Sequence, residues 1–335
     1  ATSSDVNLQK AKDKNTFKID KNNPSIKGSS KLHQIGAMKG KDNNVYQNID
    51  IDSLNTGGGI TTQAVSQNAA VTGKNNLVKE NVDINTKNTG TTSETVTQNA
   101  VVTGNDNVVK KDVEICDVNK NGVTLTTAQE NELVGNDDKL TQTIKTNRIN
   151  EENSEVAIQQ INLIQGNKNK IAQELNDDSH NKNNQGMNNA RTQASSIVGN
   201  ENTHLKQTLS DTNINDNSST EDSQQLSIEG NNNKKVTQDQ LLADKNSQQV
   251  TIPVSQIASI AGDSNENLKQ DIKTNRDNKV ELDPPGISNI QSFRVSGNEN
   301  KDVTQTQNFQ ETNENGAAAM NQGALISGNK NRDID

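Results

Sequence analysis

Gln98-Asn99-Ala100-Val101-Val102-Thr103-Gly104-Asn105-Asp106-Asn107 is the clearest of ten copies of one short stretch. With the glycine as the mark, the copies fall at Gly40, Gly73, Gly104, Gly135, Gly166, Gly199, Gly230, Gly262, Gly297 and Gly328, at spacings of 33, 31, 31, 31, 33, 31, 32, 35 and 31. A fixed period of this size is the signature of a stacked repeat architecture. Six residues before every mark stands a glutamine: Gln34, Gln67, Gln98, Gln129, Gln160, Gln193, Gln224, Gln256, Gln291 and Gln322. Two before it stands an apolar residue, from Met38 and Val71 to Val295 and Ile326. Three after it come Asn43, Asn76, Asn107, Asn169, Asn202, Asn233, Asn265, Asn300 and Asn331, with Asp138 as the one exception. A second glutamine follows in seven copies, at Gln47, Gln142, Gln173, Gln207, Gln238, Gln270 and Gln305, each with an aliphatic residue two places before it.

The pattern spells strand, sharp arc, strand. Ordered positions two apart share one face of a strand. Before the glycine that face carries Gln, a mostly small residue and an aliphatic; after it, aliphatic, Gln and usually aliphatic, as at Val113, Ile144 and Leu175. The glycine supplies backbone angles that other residues resist, and the asparagines tolerate the left-handed region and can bond the turn's own backbone. A period of two excludes the helical repeat families. One repeat cannot bury its own face, so the unit of stability is the stack. The expected fold is an all-β solenoid of about ten stacked strand-arc-strand coils, 31 to 35 residues each, with almost no helix. Identical side chains in successive coils then lie about 4.8 Å apart, and a column of Gln or Asn at that spacing forms an amide ladder. Such inward ladders explain how a chain this poor in large apolar groups holds a fold.

Composition sets the limits. Of 335 residues 27% are hydrophobic and 1% aromatic, with no Trp, one Tyr and three Phe. That composition alone would describe a disordered chain; a repeat kept in phase over ten copies argues otherwise. The net charge of -9 is spread over interspersed Lys, Arg, Asp and Glu without a basic block, which disfavours nucleic acid and points to a solvated surface. No apolar run approaches a membrane span. Ala1-Thr2-Ser3 fits a mature chain whose signal peptide has been removed, or equally a trimmed one. Cys116 is alone, so no internal disulfide is expected.

Residues 1–30 precede the repeat and read as an N-terminal extension; residues 31–335 carry it. Variable polar segments such as Asn85 to Glu94 and Asn176 to Asn189 read as the second turn of each coil. Pro253 should lack a ladder bond or mark a bulge, and Pro284-Pro285-Gly286 reads as a loop.

The Gln, Gly-Asn-x-Asn and Gln of each copy resemble the repeats of curlins, the secreted subunits of bacterial curli fibres, in kind over residues 34–331. Curlin repeats are shorter, and their first Gln-to-Asn spacing is tighter than the nine residues from Gln98 to Asn107. The resemblance implies a curlin-like or broader amyloid-like fibre protein: secretion, an extracellular or cell-surface place, self-assembly into filaments and a matrix role.

Site-like signals are sparse. Asp117-Val118-Asn119-Lys120-Asn121-Gly122 opens like a calcium loop, but its twelfth position is Ala128 in place of the bidentate Glu, and an Asn-Gly turn accounts for it as well. His33, His180 and His204 occupy unrelated repeat positions with no second ligand at metal spacing. Cys116 has no His nearby in sequence, and acidic pairs such as Asp137-Asp138 and Glu151-Glu152 occur once each. Catalysis needs a single site, whereas the ordered residues here recur in every copy. The expectation is therefore a non-enzymatic subunit of a secreted filament that assembles head to tail with itself, without cofactor, metal, nucleic acid or membrane insertion. Residues 1–30, with Phe17 and Ile19 as the apolar candidates, would donate a strand to a neighbour's last coil. The alternative is a monomeric β-solenoid adhesin or phage-fibre-type binding module, with an ice-binding solenoid a weaker form of it because Thr124/Thr126 and Thr141/Thr143 keep no common repeat position. A β-helix polysaccharide enzyme is the third reading.

Overall fold

A computed structural model describes residues 28–42, 44–55, 61–150, 154–181, 187–215, 218–246, 252–278, 286–313 and 317–335. The donor segment with Phe17 and Ile19, together with Asn43, Glu151-Glu152 and Pro284-Pro285, lies outside the described residues, as do the side chains of Gln34 and Met38.

Twenty strands make up the described residues. One sheet holds β1 (Gly28–Lys41), β3 (Thr61–Lys74), β5 (Thr92–Thr103), β7 (Val123–Val134), β9 (Ser154–Gln165), β11 (Met187–Val198), β13 (Ser218–Glu229), β15 (Ile252–Ala261), β17 (Gly286–Ser296) and β19 (Ala317–Ser327), in that order. The other holds β2 (Asn44–Asn55), β4 (Leu77–Asn88), β6 (Val108–Asn119), β8 (Lys139–Asn150), β10 (Lys170–Asn181), β12 (Thr203–Asn215), β14 (Lys234–Asn246), β16 (Glu266–Asn278), β18 (Lys301–Asn313) and β20 (Arg332–Ile334). The pairings are parallel, and each strand lies on its own equivalent in the next coil: Gln67 pairs with Gln98, and Gln98 with Gln129. Each coil is thus one strand of each sheet joined through a glycine arc, and the chain is a β-solenoid. We number the coils from β1-β2 upward.

The two sheets face each other across the core, and side chains alternate in and out. In the third coil Thr92, Glu94, Val96, Gln98, Ala100 and Val102 are buried from β5, and Val109, Lys111, Val113, Ile115, Asp117 and Asn119 from β6. An apolar column beside the arc runs through the stack, from Val45 and Val71 to Val295 and Val303. A second apolar cluster, deeper between the sheets, includes Ile49, Ile84, Ile115, Ile144, Ile158 and Leu175, and the buried Leu209 stacks on Leu175.

Two expectations are corrected. The segment Asn85 to Glu94 is mostly strand: β4 runs to Asn88, β5 begins at Thr92, and only 89–91 turn. Its inward positions are polar and hydrogen-bond one another, so they carry no apolar alternation. Thr86 Oγ1 donates to Glu94 Oε1 at 2.9 Å, Asn88 bonds Thr92, and Thr92 Oγ1 donates to Asn119 Oδ1 at 2.9 Å. Asn176 to Asn181 is likewise still β10. Of the two outcomes expected of Pro253, it takes the first: it pairs in continuous register with Ser288 without a bulge and, having no N–H, lacks that ladder bond.

The arc departs from the sequence reading as well. The left-handed residue is not the asparagine three after the glycine but the one before it: Asp106 has φ 60°, and Lys168, Glu201 and Ser264 take the same role with φ 62°, 59° and 58°. The glycines answer a second demand beyond backbone angle. A Cβ on Gly135, which is not left-handed, would stand 1.5 Å from the carbonyl oxygen of Gly104, and one on Gly104, at φ 129°, 1.8 Å from that of Gly73. Each glycine is the seat of the next.

From the sixth coil upward one extra residue follows the arc. The glycine-to-glutamine distance is seven residues from Gly166 to Gln173 and eight from Gly199 to Gln207. The extra residues His204, Lys235, Asn267, Asp302 and Asp333 all adopt left-handed φ between 53° and 58°. Pairing passes from Thr203↔Lys234 directly to Leu205↔Val236, so a β-bulge is stacked on a β-bulge.

Candidate functional site

The recurring side chains form axial ladders inside the stack. In the first, Nε2 of each glutamine donates to Oε1 of the one below: Gln98 to Gln67 at 2.7 Å, Gln129 to Gln98 at 2.8 Å, Gln160 to Gln129 at 3.0 Å and Gln193 to Gln160 at 2.8 Å. Gln224, Gln256, Gln291 and Gln322 continue it at 2.8, 2.9, 3.1 and 3.0 Å. The other Nε2 proton reaches a carbonyl of the facing sheet, as from Gln160 to Glu174 O at 3.0 Å and from Gln193 to Thr208 O at 2.8 Å. Both amide protons are used, which is what a buried amide requires. Gln67 to Gln291 are buried, whereas Gln322 is exposed.

The second ladder runs from Gln142 through Gln173, Gln207, Gln238 and Gln270 to Gln305, with steps of 3.2, 2.8, 2.8, 3.2 and 3.2 Å. Below Gln142 the same column holds Lys111 and Glu80, two of the three copies without a glutamine. They form a fully buried ion pair at 3.4 Å, and Lys111 Nζ donates to the carbonyls of Gln98 and Glu130, each at 2.8 Å. Burial raises the Glu80 carboxyl to about 7 and lowers the Lys111 amine to about 8, each opposed by the attraction of the other. Adjacent departures of opposite sign were the signal in the sequence that these two were partners.

The arc asparagines form a third ladder of opposite sense, in which a backbone N–H donates to the side chain above: Asn76 to Asn107 at 3.1 Å, Asn107 to Asp138 at 2.7 Å, Asp138 to Asn169 at 2.9 Å, and so on to Asn300 and Asn331 at 2.9 Å. Asn169, Asn202, Asn233 and Asn265 carry the steps between, at 2.8, 3.0, 2.9 and 2.9 Å. Asp138 is the exception in residue type but not in role, and burial raises its carboxyl to about 6 against the hydrogen bonds from Asn107. A fourth column follows the glycine directly and points the other way, with Asn136 N donating to Asn105 Oδ1 at 3.0 Å and Asn167 N to Asn136 Oδ1 at 2.8 Å.

Sequence reasoning missed the buried charges. The solvated-surface reading fails for Lys111, Arg148, Arg191, Glu80, Glu94, Asp117, Asp177, Asp211 and Asp222, all of which lie inside. Arg148 Nη2 reaches both oxygens of Asp177 at 2.6 Å. Asp177 also pairs with Arg191 above it, and Arg191 Nη1 reaches Asp211 at 2.8 Å and Asp222 at 3.3 Å. Burial acts to raise Asp177, but Arg148 and Arg191 outweigh it and hold its carboxyl far below the usual range. The signs alternate up the axis: Glu94 and Asp117, Arg148, Asp177, Arg191, then Asp211 and Asp222. Their signal was phase, since each stands an even number of residues from the glutamine of its own strand, or for Asp117 from Lys111, which fills that position, and so shares the inward face.

In the calcium-like stretch Asp117 to Gly122, the side chains of Asp117 and Asn119 are buried in the core. His33 and His204 are exposed, His180 is half-buried, and Cys116 is half-buried on the outer face, its thiol pushed up by burial and by Glu114, Asp83 and Asp117. Among the described residues no group of His, Cys, Asp and Glu is placed to hold a metal, and no helix is long and apolar enough to cross a membrane. No family model, curated protein or solved structure matches the chain.

Proposed function

We propose that this protein is a structural subunit of a secreted extracellular filament that extends by stacking copies end to end. The observation that carries the reading is the polarity of the first ladder. Every Nε2 from Gln98 to Gln322 donates toward the amino-terminal end, so the same bond that joins two coils would join two molecules. Contact of this head-to-tail kind does not close on itself, and an open parallel sheet edge invites a further strand. A catalytic site is unique in a chain, whereas here the ordered side chains are distributed over every coil; that favours a scaffold over an enzyme. Negative-stain microscopy with fibre diffraction on the purified chain tests the reading. Unbranched filaments with a meridional repeat near 4.8 Å support it. Discrete rods one chain long contradict it and favour the monomeric adhesin or phage-fibre-type module.

A further inference from the structure

The interior of the third coil contains a group of side chains that the ladders do not use. Glu94 on β5 and Asp117 on β6 face each other across the coil, both buried. Glu94 Oε1 accepts from Thr86 at 2.9 Å, but among the described residues Glu94 Oε2 and both oxygens of Asp117 have no hydrogen-bond donor. Two carboxylates cannot be enclosed together without donors, because desolvation and like charge both oppose it. The neighbours give little relief. In register below them lie Gln63 on β3 and Thr86 on β4, and above them Leu125 on β7 and Arg148 on β8. Arg148 is the one cation of the group; its Nη2 is engaged by Asp177 on β10, while its Nε and Nη1 have no hydrogen-bond partner among the described residues, and its charge is shared between Asp177 and the pair.

We propose that Glu94 and Asp117 form a proton-dependent latch, closed when the pair carries protons and opened when it loses them, that makes coils two to four the part of the stack which loosens as pH rises. A protonated carboxyl donates its O–H to the other and supplies the missing hydrogen bond. Removing protons leaves buried negative charge that Arg148 cannot balance alone. Burial raises Glu94 to about 7, and burial and then the Glu94 charge raise Asp117 well above its usual range. Carboxyls raised by folding stabilise the fold fully below their unfolded values, near 4, and that contribution is lost as pH rises through about 7. Glu80, in the second coil, is raised to the same region and adds to the effect, with Lys111 as its partner. Among the described residues of the upper coils, the buried Asp211 and Asp222 are tied to Arg191, and the raised Asp239, stacked on Asp271, is only half-buried, with Lys206 and Lys269 opposing the shift. The latch rests on the interior alone, so it stands or falls separately from the filament reading.

Hydrogen exchange on the full chain between about pH 5 and pH 8, corrected for intrinsic rates, tests it. Protection of β4 to β8 should fall relative to β13 to β16 by at least about tenfold, since one pKa unit corresponds to a factor of ten. Glu94→Gln with Asp117→Asn fixes the pair in a neutral, donor-bearing form and should remove most of that fall, leaving the share due to Glu80. A pH response equal in lower and upper coils would overturn the latch, as would the full response persisting in the double variant. If the double variant does not fold, Glu80→Gln decides: a response that survives it supports the latch, and one abolished by it assigns the effect to Glu80.

Discussion

Coils two to four and coils six to nine are built on the same arc and the same first ladder, yet they fill the space between the sheets differently. The lower coils have two apolar columns, the second running through Val82, Val113 and Ile144. Their second amide column is interrupted by Glu80 and Lys111, and their arc enters the return strand without an extra residue. In the upper coils the second apolar column continues only to Leu209 and gives way to Gln240, the second glutamine ladder is unbroken from Gln142 to Gln305, and every arc is followed by a bulge. What both share is agreement between adjacent coils. A lysine is accepted where a glutamate lies beneath it, and an inserted residue where the next coil has the same insertion. A solenoid coil meets only its neighbours, so complementarity between successive coils, rather than identity of all of them, is the condition for stacking.

The largest expected effect probes what the regions share. Gly104→Ala and Gly262→Ala each place a Cβ against the backbone carbonyl of the glycine below, at 1.8 and 2.0 Å. Both should cost more than about 3 kcal/mol, the scale of overpacking that cannot relax, and their melting temperatures should fall alike. A variant tolerated in one region alone would show that the arcs are not equivalent.

Next come the charges. Arg191→Met leaves Asp177, Asp211 and Asp222 with Arg148 alone, a loss of about 3–5 kcal/mol. Gln256→Met removes one amide rung and should cost about 1–3 kcal/mol. Chemical denaturation ranks the two, and the reverse order would contradict the axial charge pairing. Converting the lower region to the upper pattern is milder. Glu80→Gln with Lys111→Gln restores two amide rungs, and the double variant should be neutral or more stable by about 1–4 kcal/mol. Lys111→Gln alone should be worse at pH 8 than at pH 5, because the remaining Glu80 carboxyl is uncharged at the lower pH and charged and unpaired at the higher. The smallest effect separates bulge from bulge. Deleting His204, at the edge of the bulge column, should cost less than deleting Asn267 within it, by on the order of 1 kcal/mol, the worth of about one hydrogen bond. Equal losses would mean that the bulges do not depend on one another.

Much of this was legible in the sequence, for physical reasons. Gln160 and Ile164 keep strand phase with the glycine because the interior allows them no freedom, and so the arc, the parallel stack and the direction of the glutamines could be read. The far half of each coil was not legible. There the inward residues are Thr86, Asn88, Thr92 and Glu94, whose burial is made possible by their mutual hydrogen bonds and leaves no apolar trace. Arg148 and Asp177 read as surface because residue type alone places charges outside; only their phase, and the match of opposite signs on neighbouring coils, marks them as interior. The bulge was visible as a change in glycine-to-glutamine distance from seven to eight, but its stacking depends on backbone angles that no residue type specifies, since His, Lys, Asn and Asp all adopt them.

The central claim is that neutral, mutually bonded side chains inside the coils hold the stack together. Gln160 and Gln173 are the most direct place to measure it, because Gln173 Nε2 also donates to the carbonyl of Gln160, at 3.3 Å, and links the two ladders. Thermal melting of the Gln160→Glu, Gln173→Glu variant at pH 8, followed by far-UV circular dichroism, should reveal a loss of at least about 3 kcal/mol, the scale of uncompensated buried charge. A variant that melts with the wild type would place these side chains outside any ladder that matters to the fold.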